Sequence, residues 1–183
     1  MTVTDSRTDA ELMACLGRGG VACLGELSQR HQERVRRLAY RLLGRWDAAD
    51  DVAQEVFLRV QCAAGRYRPE ARFTTWLHRV VVNLCHDVQR REQRQPGPLP
   101  LVEPGIDDDP GMEMEASEAA QRVAAAVWRL PERQRTALVL HRYEGLSHQQ
   151  VAAVTGWSAS AVESLLVRAY ARLREELADL QNS

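Results

Sequence analysis

Residues 147–173 read SHQQVAAVTGWSASAVESLLVRAYARL, and their spacing predicts two helices that cross at a tight turn. Ser147 and Gln150 form a capping box that opens a short helix through Val154. Gly156 supplies the turn, and a longer helix runs from about Ser158 to Leu177. Ala152, four residues before the glycine, is small enough to let the second helix pass closely. Val151, Trp157, Val162 and Leu165 are the apolar contacts expected between the two. This is helix-turn-helix spacing, in which one helix enters the major groove and the other braces it on the backbone. A helical hairpin with no nucleic-acid role shares the pattern, so both readings stand at this point.

The polar face of the second helix favours the first reading. Ala159, Ser160, Glu163 and Ser164 lie in its first turns, where base readers belong; Ser bonds either base type and Glu accepts from cytosine N4. Arg168, Arg172 and Arg174 lie further along and suit phosphate. A competing role for Glu163 is local, as the second half of a Ser160/Glu163 capping box. Upstream, Ala119–Arg129 reads as a helix. Pro131 sits at the first turn of another that runs to about Tyr143, and Gly145 ends it.

Before this helical block the composition changes. Pro96, Pro98, Pro100, Pro104 and Pro110 alternate with Gly97, Gly105 and Gly111, which stops helix and sheet alike. Residues 96–117 therefore read as a flexible linker between a domain over 1–95 and another over 118–183. The N-terminal part is also helical by pattern. Thr8 and Glu11 make a capping box. Leu24, Leu27, His31, Val35, Leu38, Leu42 and Leu43 recur at three and four residues. Asp47 is positioned to cap a helix carrying Val52, Val56, Phe57 and Val60, broken by Gly65 and Pro69. Phe73, Trp76, Leu77, Val80, Val81 and Leu84 mark a helix to about Arg91. Nothing alternates with period two. The expected fold is all-α, with two small helical domains.

The chain has 183 residues and a net charge of −1, with all 24 of its cationic side chains arginine. The charge is uneven: +4 over 1–95, −7 over 96–118 and +2 over 119–183. Two mildly basic blocks joined by an acidic strip leave room for a nucleic-acid ligand despite the near-neutral total. No apolar run reaches the roughly 20 residues of a membrane span, and the polar N-terminus has no secretory pattern, so a cytoplasmic protein is expected. Cys15, Cys23, Cys62 and Cys85 form no C-x-x-C pair and read as reduced thiols. No catalytic constellation, phosphate loop or metal motif is present, and Cys85 beside His86 points elsewhere on a helix. His141 and His148 flank a turn and read as surface residues rather than ligands. An enzyme, a cofactor, a metal and a small-molecule substrate are not expected.

Three separated stretches together identify a family: DAADDVAQEVFLRV (47–60), RFTTWLHRVVVNLCHDVQRR (72–91) and LPERQRTALVLHRYEGLSHQQVAAVTGWSASAVESLLVRAYARLREEL (130–177). In order and content, the chain resembles a bacterial RNA polymerase sigma factor of the extracytoplasmic-function (ECF) group of the sigma-70 family, over roughly residues 8–178. The resemblance implies region two at 1–95, region four at 118–183, and core RNA polymerase, promoter DNA and a cognate anti-sigma factor as partners of a chain monomeric when free. It assigns Asp50, Asp51, Gln54 and Glu55 to the β′ clamp helices of the polymerase and region four to its β flap. Trp76, Arg79, Asn83, Asp87, Arg90 and Arg91 fall to minus-ten recognition and melting. Ser158, Ala159, Ser160, Glu163, Ser164, Arg168 and Arg172 fall to the minus-thirty-five element. Asp107, Asp108 and Asp109 suit a linker along the path of nascent RNA.

Each assignment has a plainer rival: a solvated face for the acidic stripe, a core position for Trp76, a satisfied amide for Asn83, a solvated helix end for the Arg cluster, a soluble spacer for the linker. Glu163 and Leu165 stand where many members carry Lys and Arg, which weakens the expected phosphate grip. Two other readings remain beside the sigma factor. One is a sigma-like module that binds anti-sigma factors without touching DNA. The other is an ordinary repressor, which leaves the 47–60 stripe and the Trp76 helix without a role.

Overall fold

The computed structural model describes residues 7–68, 72–94 and 118–178, the last stretch with side chains from residue 121. The linker read at 96–117 lies outside the described residues. Those described are helical, with no strand among them. In chain order the helices are α1 (Asp9–Gly17), α2 (Ala22–Leu43), α3 (Trp46–Ala63) with a 3-10 turn at Ala64–Arg66, α4 (Phe73–Arg94), α5 (Glu118–Arg129), α6 (Glu132–Leu138) continuing as a π segment over Val139–Tyr143, α7 (His148–Thr155) and α8 (Ala159–Glu176).

Local chemistry sets most helix ends. Both halves of the Thr8/Glu11 box form at α1, and both halves of the Ser147/Gln150 box form at α7. Gly44 ends α2 at φ 74° and Gly156 ends α7 at φ 76°, a left-handed conformation that side chains disfavour. Three expectations shift. Asp47 does not cap α3: Arg45 holds the extended cap position, and Asp47 sits inside the first turn, where its charge complements the helix dipole. Pro131 is the cap before α6 rather than its first residue. Ser158 caps α8 by accepting from the Ala161 amide at 3.2 Å, so the Ser160/Glu163 box does not form.

Leu27, Leu38, Leu42, Val56, Val60 and Val81 are fully buried where α2, α3 and α4 meet. The Gln89 side chain, also buried, donates to the Leu42 carbonyl at 2.8 Å and satisfies one open group at the end of α2. His31, read as part of the α2 stripe, is half-buried; it bonds Asp9 at 2.9 Å and packs on the Phe73 ring.

α5–α8 build a second group that docks on the first, and one apolar cluster runs through both. The seat follows α2 and α4. At one end Glu144, just past the π segment, accepts from Arg34 Nε at 2.7 Å and lies 3.1 Å from His78 Nε2. Arg41 Nη1 stands 3.9 Å away. At the other end the Trp128 indole lies against Gly44. Arg135 covers that ring at 4.1 Å and donates to the Trp128 and Leu130 carbonyls, closing the end of α5. Burial pushes the Arg135 guanidinium down to about 10, still charged at neutral pH. Between the two ends, His86 reaches Thr136 at 3.3 Å and Cys85 is fully buried, its thiol pushed up by burial.

The cysteines depart from the sequence reading. Cys62 and Cys85 are free thiols, but Cys15 and Cys23 are joined in a disulfide, with Cα atoms 6.4 Å apart. Eight residues separate them in sequence, and the turn between α1 and α2 folds one onto the other. A spacing rule tuned to C-x-x-C pairs has no view of such a turn.

Candidate nucleic-acid and polymerase interfaces

α4 has three sides. One packs into the α2/α3 core through Phe73, Leu77, Val81 and Leu84. A second, with His78, Val82 and Cys85, meets α6 and α7. The third carries Trp76, Arg79, Asn83, Asp87 and Arg90 at three- and four-residue steps. Arg79, Asn83, Arg90 and Arg91 are exposed. Asp87 is half-buried, and its carboxylate holds the Arg90 guanidinium at 2.8 Å. Trp76 is half-buried; Tyr67 meets it edge-on at 5.8 Å, and Phe73 lies at the same distance. Part of its ring serves as packing and part stays open. Asn83 is not a satisfied core amide, because it faces solvent.

On α3 the acidic residues divide. Asp50 is half-buried and accepts from Arg36 Nε at 2.5 Å. That bond, despite some loss to burial, holds the Arg36 guanidinium above its ordinary value. Arg36 also lies 4.3 Å over Trp46, which stacks on Tyr40, so Asp50 is tied to the Arg36–Trp46–Tyr40 stack. Glu55 pairs along the helix with Arg59 at 2.9 Å. Asp51 and Gln54 are exposed, with Leu58 beside them. Leu58 is 56% exposed, an apolar patch at the centre of a polar stripe.

In the two-helix turn Val151, Val154, Val162 and Leu166 are buried. Ala152, Trp157 and Leu165 are half-buried against them, and Arg133 covers the Trp157 ring at 4.7 Å. Ser158, Ala159, Ser160, Glu163, Ser164, Arg168 and Arg172 are all exposed. Ser164 donates to the Ser160 carbonyl at 2.9 Å, which leaves its oxygen free to accept. Val167 was missed by the sequence reading. It is 64% exposed on the same stripe as Ser160, Glu163 and Ser164. A helical wheel of α8 carries the signal, since Val167 falls outside the buried face of Val162, Leu166 and Ala169. His141 and His148 meet edge to face at 5.0 Å, and His141 Nδ1 is 2.8 Å from the Leu146 carbonyl.

Comparison with known proteins agrees with this architecture. The Sigma-70 region 2 family matches residues 27–95 and the Sigma-70 region 4 family matches residues 120–173. ECF RNA polymerase sigma factor SigM of Mycobacterium tuberculosis is 38% identical over 169 residues, covering 91% of this chain and 83% of that one. Among solved structures, CnrH in complex with the cytosolic domain of CnrY has a TM-score of 0.68 at 26% identity, over 93% of this chain and 97% of that one. RpoE of Bartonella quintana, solved with the anti-sigma factor NepR, shares the fold at a TM-score of 0.70 and 21% identity, over 84% of this chain and 96% of that one.

α1–α4 and α5–α8 thus define a two-region sigma factor of the sigma-70 type. The chain belongs to the ECF group of that family. It directs transcription as an initiation factor and is not an enzyme. No described helix is long and apolar enough to cross a membrane.

Proposed function

We propose that the chain acts in the cytoplasm, binds core RNA polymerase through α3 and the β flap through region four, and reads a promoter at two places. The supporting observation is that stripes on α3, α4 and α8, where the family resemblance places the polymerase, minus-ten and minus-thirty-five contacts, carry exposed polar and arginine side chains. Asp51 and Gln54 with Leu58 form the polymerase-facing stripe, supported by Asp50 and Glu55. Arg79, Arg90 and Arg91 hold phosphates of the opened strand, Asn83 reads an extruded base edge, and Trp76 offers a partly open ring. Ser158, Ala159, Ser160, Glu163 and Ser164 read the minus-thirty-five element, and Arg168 and Arg172 grip its backbone. Region two occupies 1–95, region four 118–183, and 96–117 links them. The free chain is a monomer controlled by an anti-sigma factor.

The docked arrangement cannot read both elements at once. Twenty-five base pairs span about 85 Å at roughly 3.4 Å each. A compact chain of this length has a radius of gyration of about 16 Å. Region four must therefore leave its seat on α2 and α4 when promoter is bound.

A run-off assay with bacterial core polymerase and the promoter of the chain's own operon tests the reading. A discrete start that depends on the protein supports it. Absence of both a start and polymerase binding favours a module that only engages anti-sigma factors. Within that assay, Gln54→Ala with Glu55→Ala is expected to weaken polymerase binding by about tenfold, the effect of losing roughly 1–2 kcal/mol at an interface, with melting unchanged. Unchanged polymerase affinity would remove α3 from the interface. Arg168→Ala is expected to weaken all promoters alike and lower the salt slope by about one charge. A changed base preference would make Arg168 a reader.

A further inference from the structure

We propose that Cys15 and Cys23 are a reversible dithiol that a hydroperoxide closes and a dithiol reductant reopens. The proposal does not depend on the promoter assignments. Three features at the turn between α1 and α2 support it. The two sulfurs meet across the turn, Cys15 half-buried and Cys23 almost fully buried. Arg7 Nη1 stands 3.5 Å from the Cys23 sulfur, within reach to stabilise negative charge that develops on it during exchange. Arg7 is itself held by Glu26 at 2.7 Å, and its carbonyl accepts from Arg30 at 2.6 Å. Finally, Gly20 makes room: a Cβ there would lie 2.5 Å from the Cys15 sulfur and 3.0 Å from the Cys15 carbonyl oxygen. Gly20 has no positive φ, so the space and not the backbone requires glycine.

The chemistry balances in two steps. The accessible Cys15 thiolate attacks the hydroperoxide, breaks its O–O bond, becomes a sulfenic acid and releases hydroxide (or alkoxide). The Cys23 thiolate, paired with Arg7, attacks the Cys15 sulfur, the S–S bond forms and a second hydroxide leaves. The two thiol protons neutralise the released anions. With hydrogen peroxide the sum is two thiols and one peroxide giving one disulfide and two waters. A dithiol reductant returns two electrons by exchange. Such a pair is open at rest in a reducing compartment and closed under oxidation. The end of α1 also touches the 3-10 turn after α3, because a Cβ on Gly17 would lie 2.8 Å from the Ala64 carbonyl oxygen.

The test uses the full reduced chain and one equivalent of hydrogen peroxide. The expected product is a monomer lighter by two hydrogens, with Cys15 and Cys23 in one cross-linked peptide and Cys62 and Cys85 still alkylatable. It is expected to melt about 5 °C above the reduced chain, the effect of closing a short loop. Gly20→Ala is expected to leave both thiols unlinked at the same dose. Arg7→Ala is expected to slow the second step, so that dimedone labels Cys15 several-fold more than in wild type, and Arg7→Lys to restore the wild-type level. A Cys62-linked dimer as the main product would overturn the proposal, as would over-oxidation of Cys15 without a cross-link. Equal labelling of Arg7→Ala and wild type would overturn the role of Arg7.

Discussion

Glu144→Ala is expected to release region four from region two in the free chain. The Glu144 side chain is only 3% exposed. Burial alone would raise its pKa, yet the bonds to His78 and Arg34 more than offset this and hold the carboxyl below its ordinary value. The carboxylate is thus charged and depends on partners from the other region. Alanine leaves His78 buried and turned toward an empty space, with Arg34 and Arg41 beside it. Removing one member of a buried ionic group costs on the order of 3–5 kcal/mol. Arg34 is 47% exposed and can turn to water, so the low end applies. A loss of about 3 kcal/mol shifts the docking equilibrium by more than 100-fold. Small-angle scattering of the free chain should show a larger, two-lobed particle. Wild-type dimensions in the variant would mean that the apolar seat alone holds the regions together.

The same contacts give docking a pH dependence of known sign. Glu144 has a lowered pKa when docked, so its contribution is complete above the usual carboxylate range and is lost as pH falls through the lowered value. His86 is also lowered, chiefly by burial, which the charges of Glu132 and Asp87 only partly counter. The undocked form takes up the His86 proton more readily, so docking begins to weaken as pH drops below about 6.5. Both groups act in one direction. The docked fraction is expected to fall between neutral and mildly acidic pH and to fall further in the carboxylate range. A docked fraction that rises on acidification would exclude this account.

Gly44→Val is expected to have the second large effect, at the other end of the seat. Gly44 closes α2 at φ 74°, and its missing Cβ would stand 3.1 Å from three ring atoms of Trp128. A β-branched residue in this backbone region costs on the order of 1–3 kcal/mol, before the indole is displaced. The indole cannot retreat freely, since the Arg135 guanidinium packs on the ring at 4.1 Å. Together these should lower the melting midpoint by roughly 5–10 °C, at about 2–4 °C per kcal/mol for a chain of this size. Gly44→Asn separates the causes, because asparagine tolerates the left-handed backbone yet still brings a Cβ. It is expected to undock region four with a smaller loss of melting temperature. A midpoint for Gly44→Val within about 1 °C of wild type would show that the Trp128 approach carries no energy.

Much of the molecule was legible in one dimension because its causes are local. The Thr8/Glu11 and Ser147/Gln150 boxes form as read, since their partners lie within one turn. The turn at Gly156 and the apolar stripe of α2 follow from backbone freedom and helical period. Where two local signals competed, the reading slipped: Asp47 and Ser160 look like caps, but Arg45 and Ser158 hold the extended backbone that a cap needs. On α4 the resemblance assigned Trp76, Asn83 and Arg90 to one role; the three share one side of the helix, with Asn83 and Arg90 exposed and Trp76 half-buried. On α3 it could not separate Asp50, tied to Arg36, from Asp51, which faces water.

The all-helical class, the helix-turn-helix and membership of a family whose motifs span most of the chain are all readable in one dimension. These rest on capping, periodicity and short motifs, whose interactions reach no further than about one turn. Which charges sit at the surface and which lock the two regions together emerges from the three-dimensional packing. Arg34 and Glu144 are 110 residues apart, and His78 and Glu144 are 66 apart. Trp128 meets Gly44 across the same divide, and Cys15 meets Cys23 across a turn. No periodicity links residues at those separations. Their pairing follows from how two amphipathic groups bury their remaining apolar faces against each other, and that burial carries the buried carboxylate with it.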